Sequence, residues 1–191
     1  MWKTVAACAL GLGMTAVCAK TLVVSYSFTG NADRIAAALV KEIKADQIKI
    51  EPAQKGIDYA ANYYSIGSDL VGAIRKKPDT AASYPKIDPV KVDWSQYSTV
   101  IIATPLWWSN MAAPMQTFLF ENGKDMSGKK IGLIVTSASS GISGVERDAK
   151  RLIPGGDFYS PSLWIRSSQS SSAGSMLADW LKRIHYDEAA K

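Results

Sequence analysis

Cysteine is confined to the first nineteen of the 191 residues, where Cys8 and Cys18 stand, and the rest of the chain has none. Disulfide stapling and thiolate chemistry are therefore closed to everything from Lys20 onward. Histidine occurs once, as His185, and carboxylates such as Asp88 and Asp93 are scattered through loop sequence, so the ligand set of a transition-metal site is missing. The Gly-x-Ser-x-Gly elbow of a serine hydrolase is absent as well, which leaves His185 no nucleophile to serve and makes it a surface residue late in a helix. Runs of one charge sign are also lacking. Lys and Arg number 22 against 17 Asp and Glu, a mild excess spread along the chain that does not point to nucleic acid. The nearest approach to a phosphate-binding P-loop, Gly123 to Lys130, has Lys130 where a Ser or Thr would hold magnesium and leads into a strand, so it reads as a solvated turn.

What is present is apolar residue in quantity. At 47% hydrophobic content and single-domain length, disorder and a disulfide-dependent miniature are both excluded. Six tryptophans are many for this size and suggest aromatic surface reserved for a flat ligand. At the start, Lys3 precedes an apolar stretch from Thr4 to Val17, and Val17-Cys18-Ala19 supplies the small residues of a signal-peptidase site, so residues 1–19 read as a Sec signal cleaved before Lys20. Fourteen apolar residues are short for a bilayer span, and no second such stretch follows. The expectation is a periplasmic or secreted protein with no membrane span after cleavage. Acylation of Cys18 is the minor alternative, disfavoured by Thr15 and Val17 where a Leu and a small residue are usual. Residues 20–191 then form one domain.

Across that domain short apolar runs alternate with helical periods, the pattern of an α/β fold with a parallel sheet. Strands are expected at Thr21 to Tyr26, Gln47 to Ile50, Thr99 to Thr104, Ile131 to Thr136 and Ser162 to Ile165. Ile35, Ala36, Leu39, Val40 and Ile43 share one face of a first helix. A second is expected from Ile57 to Lys76, with Ala60, Ala61, Tyr64, Leu70, Val71 and Ile74 on its packed stripe and Pro78 as its stop, followed by loop to Tyr97. Met111, Met115, Phe118 and Leu119 mark a third, with Pro114 in its first turn and Asn122-Gly123 at its end. Ser143 and Glu146 suggest a capping box opening a fourth, and Met176, Leu177, Trp180, Leu181 and Ile184 define a fifth. The Ser-rich stretch from Ser167 to Ser175 reads as the loop before it.

Such sheets bind ligands beyond the carboxyl ends of their strands, where the strand order reverses. Three loops occupy those positions. After the first strand, Ser27-Phe28-Thr29-Gly30-Asn31-Ala32 runs straight into a helix and gathers hydroxyls and N–H groups at its positive end, as a phosphate requires; by itself it is equally an ordinary strand-to-helix turn with an Asn cap. After the third, Thr104-Pro105-Leu106-Trp107-Trp108-Ser109-Asn110 carries two adjacent indoles that cannot both enter one core, so at least one is expected at the surface or on a ligand. After the fourth, Ser137-Ala138-Ser139-Ser140-Gly141-Ile142-Ser143-Gly144 is small and hydroxyl-rich, open to close approach by a ligand. Tyr59, Tyr63 and Tyr64 on the second helix could extend a ligand pocket but read as a helix packing on the sheet, and are left out of the site.

At these residues the sequence resembles the flavodoxin family, in its branch with a Ser-x-Thr-Gly-Asn turn and a later Pro-x-Trp-Trp loop. The resemblance runs through TLVVSYSFTGNADRIAAAL, TVIIATPLWWSNMAAPMQTFL, GKKIGLIVTSASSGISG and the closing DWLKRI. It implies a doubly wound five-stranded parallel sheet of order 2-1-3-4-5 with helices on both faces, and non-covalently bound FMN. By position, Ser27, Thr29, Gly30, Asn31 and Ala32 would surround the phosphate. Pro105, Leu106, Trp107 and Trp108 would border the isoalloxazine, with one indole on a ring face, and Ser137, Ser139 and Gly141 would contribute near the ring and ribityl chain. Ala32 departs from the family's usual Thr and removes one hydroxyl contact, and a basic balance replaces the acidity of familiar electron-carrier flavodoxins. No catalytic side chain is implied, since flavin itself takes one or two electrons. Three functions compete: a carrier docking to a redox partner protein, an FMN-dependent NAD(P)H reductase of small quinone-like acceptors, and a flavodoxin-fold binding module that has lost its flavin.

Overall fold

A computed structural model describes residues 20–186, so the signal read at residues 1–19 lies outside the described residues. The sheet is built on β1 (Lys20–Ser25), buried after its first residue, and β3 (Tyr97–Trp107), buried through its centre from Thr99 to Thr104, as strands covered on two faces must be. β2 (Asp46–Lys49) pairs parallel with β1, and β5 (Lys130–Ser137) pairs parallel with β3. On the far side of β5 lie β6 (Asp157–Phe158), against Lys130 and Ile131, and β7 (Leu163–Arg166), against Ile134 to Ser137. These two pieces make one interrupted edge, and the principal strands therefore follow the expected 2-1-3-4-5 arrangement.

Alternation along the strands divides the core. Leu22, Val24, Val100, Ile102, Leu133 and Val135 face one layer, while Val23, Ile101, Ala103 and Ile134 face the other. The second layer is closed by α1 (Asn31–Ile43) and α5 (Ala173–Arg183), through Ile35, Leu39, Leu177 and Trp180. The first is closed by α2 (Ala61–Lys76), α3 (Ala113–Asn122) and α4 (Ser143–Leu152), through Val71, Ile74, Met115, Phe118 and Val145. No helix among the described residues is long and apolar enough to cross a membrane.

Six local expectations are corrected. The second helix does not begin at Ile57: it is assigned from Ala61, and Asn62, Tyr63 and Tyr64 all have positive φ, so regular right-handed geometry starts only at Ser65. Its putting Tyr64 on a packed stripe fails with it, since Tyr64 is 54% exposed. The loop after the third strand is instead strand and hairpin, because β3 continues through Pro105 and Leu106 to Trp107 and turns at Trp108-Ser109 into β4 (Asn110–Met111). The capping box also fails to form: Ile142 is the cap residue, no side chain caps α4, and Glu146 accepts a hydrogen bond from Ser162 Oγ at 2.7 Å. Finally, the Ser-rich stretch is mostly a 3₁₀ turn, Ser167–Ser172, and Gly123–Met126 is another whose Gly123 and Met126 are buried.

Candidate functional site

A cleft of about 440 Å³ opens at the carboxyl ends of β1, β3 and β5, where strand order reverses. Its first wall is the β1–α1 turn, represented by Phe28, Thr29 and Asn31. Gly30 caps α1 with φ 81°, a left-handed conformation that glycine adopts without penalty, and its carbonyl accepts the first helical bond, from Arg34 N at 3.1 Å. No side chain caps the helix; Ser27 Oγ instead accepts from Ala32 N at 3.2 Å and folds the turn on itself. Asn31 Oδ1 accepts from the Arg34 guanidinium. Asp33, the one acid of the first helical turn, is tied away toward the sheet by Ser25 Oγ at 2.8 Å and by Lys49 Nζ at 3.9 Å. The positive end of α1 is therefore left without a competing carboxylate at the cleft.

The second wall comes from Pro105, Leu106, Trp107 and Trp108. The two indoles part company, as their adjacency requires. Trp107, 9% exposed, packs edge-on against Tyr26 with ring centres 5.7 Å apart and at a tilt against Tyr59 at 5.0 Å. Trp108, 38% exposed, sits at the hairpin tip and meets Tyr64 edge-on at 6.2 Å. The third wall is Thr136, Ser137 and Ala138, with Ser167 beside them. Ser137 Oγ is held in place, donating to the Ser140 carbonyl at 2.9 Å and accepting from Trp164 Nε1 at 2.8 Å.

Seven of the residues singled out from sequence thus meet at one cleft: Thr29, Asn31, Pro105, Leu106, Trp107, Trp108 and Ser137. Ser27, Gly30 and Ala32 shape the turn behind the wall, with Ala32 buried, while Ser139 and Gly141 are exposed and do not line it. Tyr59 and Tyr64, read from the sequence as helix packing rather than site, in fact line it, and Gly67, Thr136 and Ser167 line it without having been selected. Thr136 directly precedes Ser137 and was within reach of sequence reasoning, whereas nothing local to residues 59–67 signals that they cross the sheet's end to face Trp108.

None of the lining residues carries a formal charge at neutral pH. Burial pushes the Tyr59 phenol above its ordinary value, and burial first, then Tyr59, Glu51 and Asp33, pushes that of Tyr26 behind it well above the usual tyrosine range. Both stay protonated near neutrality. The cleft can thus enclose a flat apolar ring and offer hydroxyl and N–H donors to an anion at the α1 end, but it holds no acid or base poised to transfer a proton. Among the described residues no cluster of His, Cys, Asp and Glu could hold a metal ion.

Comparison with known proteins agrees with this architecture. No curated protein matches the chain. Among solved structures, a protein of Bacteroides uniformis provisionally classed as a flavoprotein aligns with a TM-score of 0.65 at 24% identity, covering 84% of this chain and 98% of that one. A flavoprotein from Lactobacillus acidophilus, in complex with FMN, aligns with a TM-score of 0.63 at 21% identity, covering 81% and 97%. A WrbA-like flavodoxin from Agrobacterium tumefaciens aligns at 0.58 and 14% identity over 91% and 99%. These likenesses are of fold. The family model described as Flavodoxin matches residues 20–184, nearly everything the structure describes, and the chain therefore belongs to the flavodoxin family.

Proposed function

We propose that this protein binds FMN non-covalently in the cleft and transfers electrons through it. The observation that carries the reading is an uncharged, aromatic-sided cleft that ends on the positive terminus of α1. Its volume of about 440 Å³ falls among small-molecule sites, and Gly67, lacking a side chain, leaves the Trp108 ring room to lie against α2. The residues present fit the cofactor. Thr29, Asn31 and the N–H groups of the turn would hold the phosphate, Trp108 would border the ring, and Ser137 and Thr136 would serve the polar chain between. When bound, FMN supplies one- or two-electron chemistry that no side chain here provides. The chain's own part is to bind and orient it, to exclude water from the side packed by Trp107 and Tyr59, and to keep charge out of its surroundings.

The electron acceptor is either a redox partner protein or a small molecule such as a quinone. An exposed aromatic rim, with Tyr64 54% exposed beside Trp108, favours an approach open to both. Export across a membrane remains part of the proposal, resting on the leader-like residues 1–19, and Edman sequencing of the protein isolated from its native cell would read Lys20 first if it is right. The decisive experiment is the absorption spectrum of the protein as purified and after addition of FMN and desalting. Retained flavin bands support the cofactor; their absence makes this a flavodoxin-fold binding module. With flavin retained, steady-state NAD(P)H oxidation in the presence of a quinone separates a reductase from a carrier.

A further inference from the structure

Trp108 and Ser109 turn the β3–β4 hairpin with φ of 45° and 62°. A two-residue turn with positive φ at both centres normally carries Asn-Gly or Asp-Gly, and an indole there persists only where its surroundings over-determine it. Those surroundings are unusually specific. From α2, Arg75 Nε donates to Asn110 Oδ1 at 2.7 Å, and its Nη2 donates to the Trp108 carbonyl. From α4, Asp148 Oδ2 accepts both Asn110 Nδ2 and the Met111 N–H, each at 2.9 Å. Asp148 is 5% exposed, and behind it Arg151 lies at 3.6 Å and anchors in turn to Gln116 Oε1 at 3.0 Å.

The backbone is gripped from the same two helices. A Cβ on Gly144 would stand 1.7 Å from the Ser109 carbonyl oxygen, so α4 touches the turn directly. A Cβ on Gly67 would stand 2.8 Å from Trp108 Cζ3, so α2 supports the indole through a gap left by a missing side chain. A buried carboxylate is an inefficient way to stabilise a core that apolar residues could fill. Its two hydrogen bonds here both go to the segment that presents Trp108, while its other oxygen pairs with Arg151.

We propose that Asp148 and Arg75, neither of which lines the cleft, are positioning residues that fix Trp108 where a ring ligand meets it, and that Gly67 sets the depth of its indole. The proposal rests on the FMN reading for its affinity readout, but not for its structural one. Arg75 is exposed, so Arg75→Met is expected to fold even where Asp148→Ala does not. Its test uses the full chain and two measurements. The first is the near-UV circular dichroism of the flavin-free protein, with Trp108→Phe identifying the contribution of Trp108. The second is FMN affinity by flavin fluorescence, measured for Arg75→Met in the parent and in a Trp108→Ala background.

The expected results are loss of the Trp108 dichroism in Arg75→Met and an FMN affinity about tenfold weaker in the parent background, shrinking to within about twofold when Trp108 is already absent. Asp148→Ala, if folded, behaves the same way, and Asp148→Asn, whose amide oxygen can still accept both N–H groups, recovers most of the dichroism. Gly67→Ala weakens FMN similarly and is rescued by Trp108→Phe, which removes the indole ring atoms the new methyl would strike. Equal loss of affinity in both backgrounds, or unchanged Trp108 dichroism in Arg75→Met, overturns the proposal. If the parent protein binds no FMN, the functional reading fails alone, and the dichroism still decides the positioning role.

Discussion

Truncating the two adjacent tryptophans separately tests whether the hairpin assigns one to the core and one to a ligand. Trp107 is 9% exposed and packs against Tyr26 and Tyr59 above the sheet, so Trp107→Ala opens a cavity and is expected to cost about 3–5 kcal/mol of stability. Trp108 is 38% exposed, so the same truncation forfeits less buried area, about 2 kcal/mol at ordinary transfer values. The order reverses for the ligand. Loss of an aromatic face against a flat ring costs about 1–3 kcal/mol, and Trp108→Ala should therefore raise the Kd for FMN by about 5- to 150-fold. Urea unfolding followed by far-UV circular dichroism, without flavin, reads the first effect, and titration of flavin fluorescence reads the second. If Trp108→Ala leaves the Kd unchanged, or if the two variants lose equal stability, the division of labour drawn from their exposure is wrong.

Three further outcomes are expected. Thr29→Ala should weaken FMN by about 1.5–3 kcal/mol, the value of a hydrogen bond to a charged acceptor, yet leave riboflavin binding nearly unchanged, since riboflavin lacks the phosphate; isothermal titration with both ligands checks this. Because the folded-state phenol of Tyr26 titrates above its ordinary value of 10.0, chiefly through burial, the unfolded chain loses that proton first as pH rises. Its contribution is complete below pH 10 and is lost above it at about 1.4 kcal/mol per pH unit, so urea midpoints from pH 9 to 12 should fall less steeply for Tyr26→Phe. Ser143→Ala should change stability by no more than about 0.5 kcal/mol because Ser143 caps nothing, whereas Ser162→Ala should cost about 1 kcal/mol by removing the 2.7 Å bond to Glu146; thermal unfolding compares the two.

The sequence by itself determined the layered fold and the end of the sheet at which the cleft opens. Period-2 and period-3.6 patterns are local, and runs such as Leu22-Val23-Val24 and Val100 to Ala103 bury both faces whatever their neighbours, so strand identity survives without tertiary knowledge. Adjacency alone also required Trp107 and Trp108 to diverge, since consecutive side chains cannot enter one core together. Tertiary structure decided which atoms face the cleft. Tyr59, Tyr64 and Gly67 reach Trp107 and Trp108 across about forty residues of chain, and no periodicity within the second helical segment encodes that meeting. Ser139 and Gly141 share the small, polar character of Ser137 but continue past the end of β5 into solvent, because composition reports what a loop tolerates and not where it turns. Glu146 had the spacing of a capping partner and took Ser162 instead, a competitor supplied by another part of the chain. Local patterns state how much of a residue is buried; the direction in which it is buried belongs to the elements packed against it.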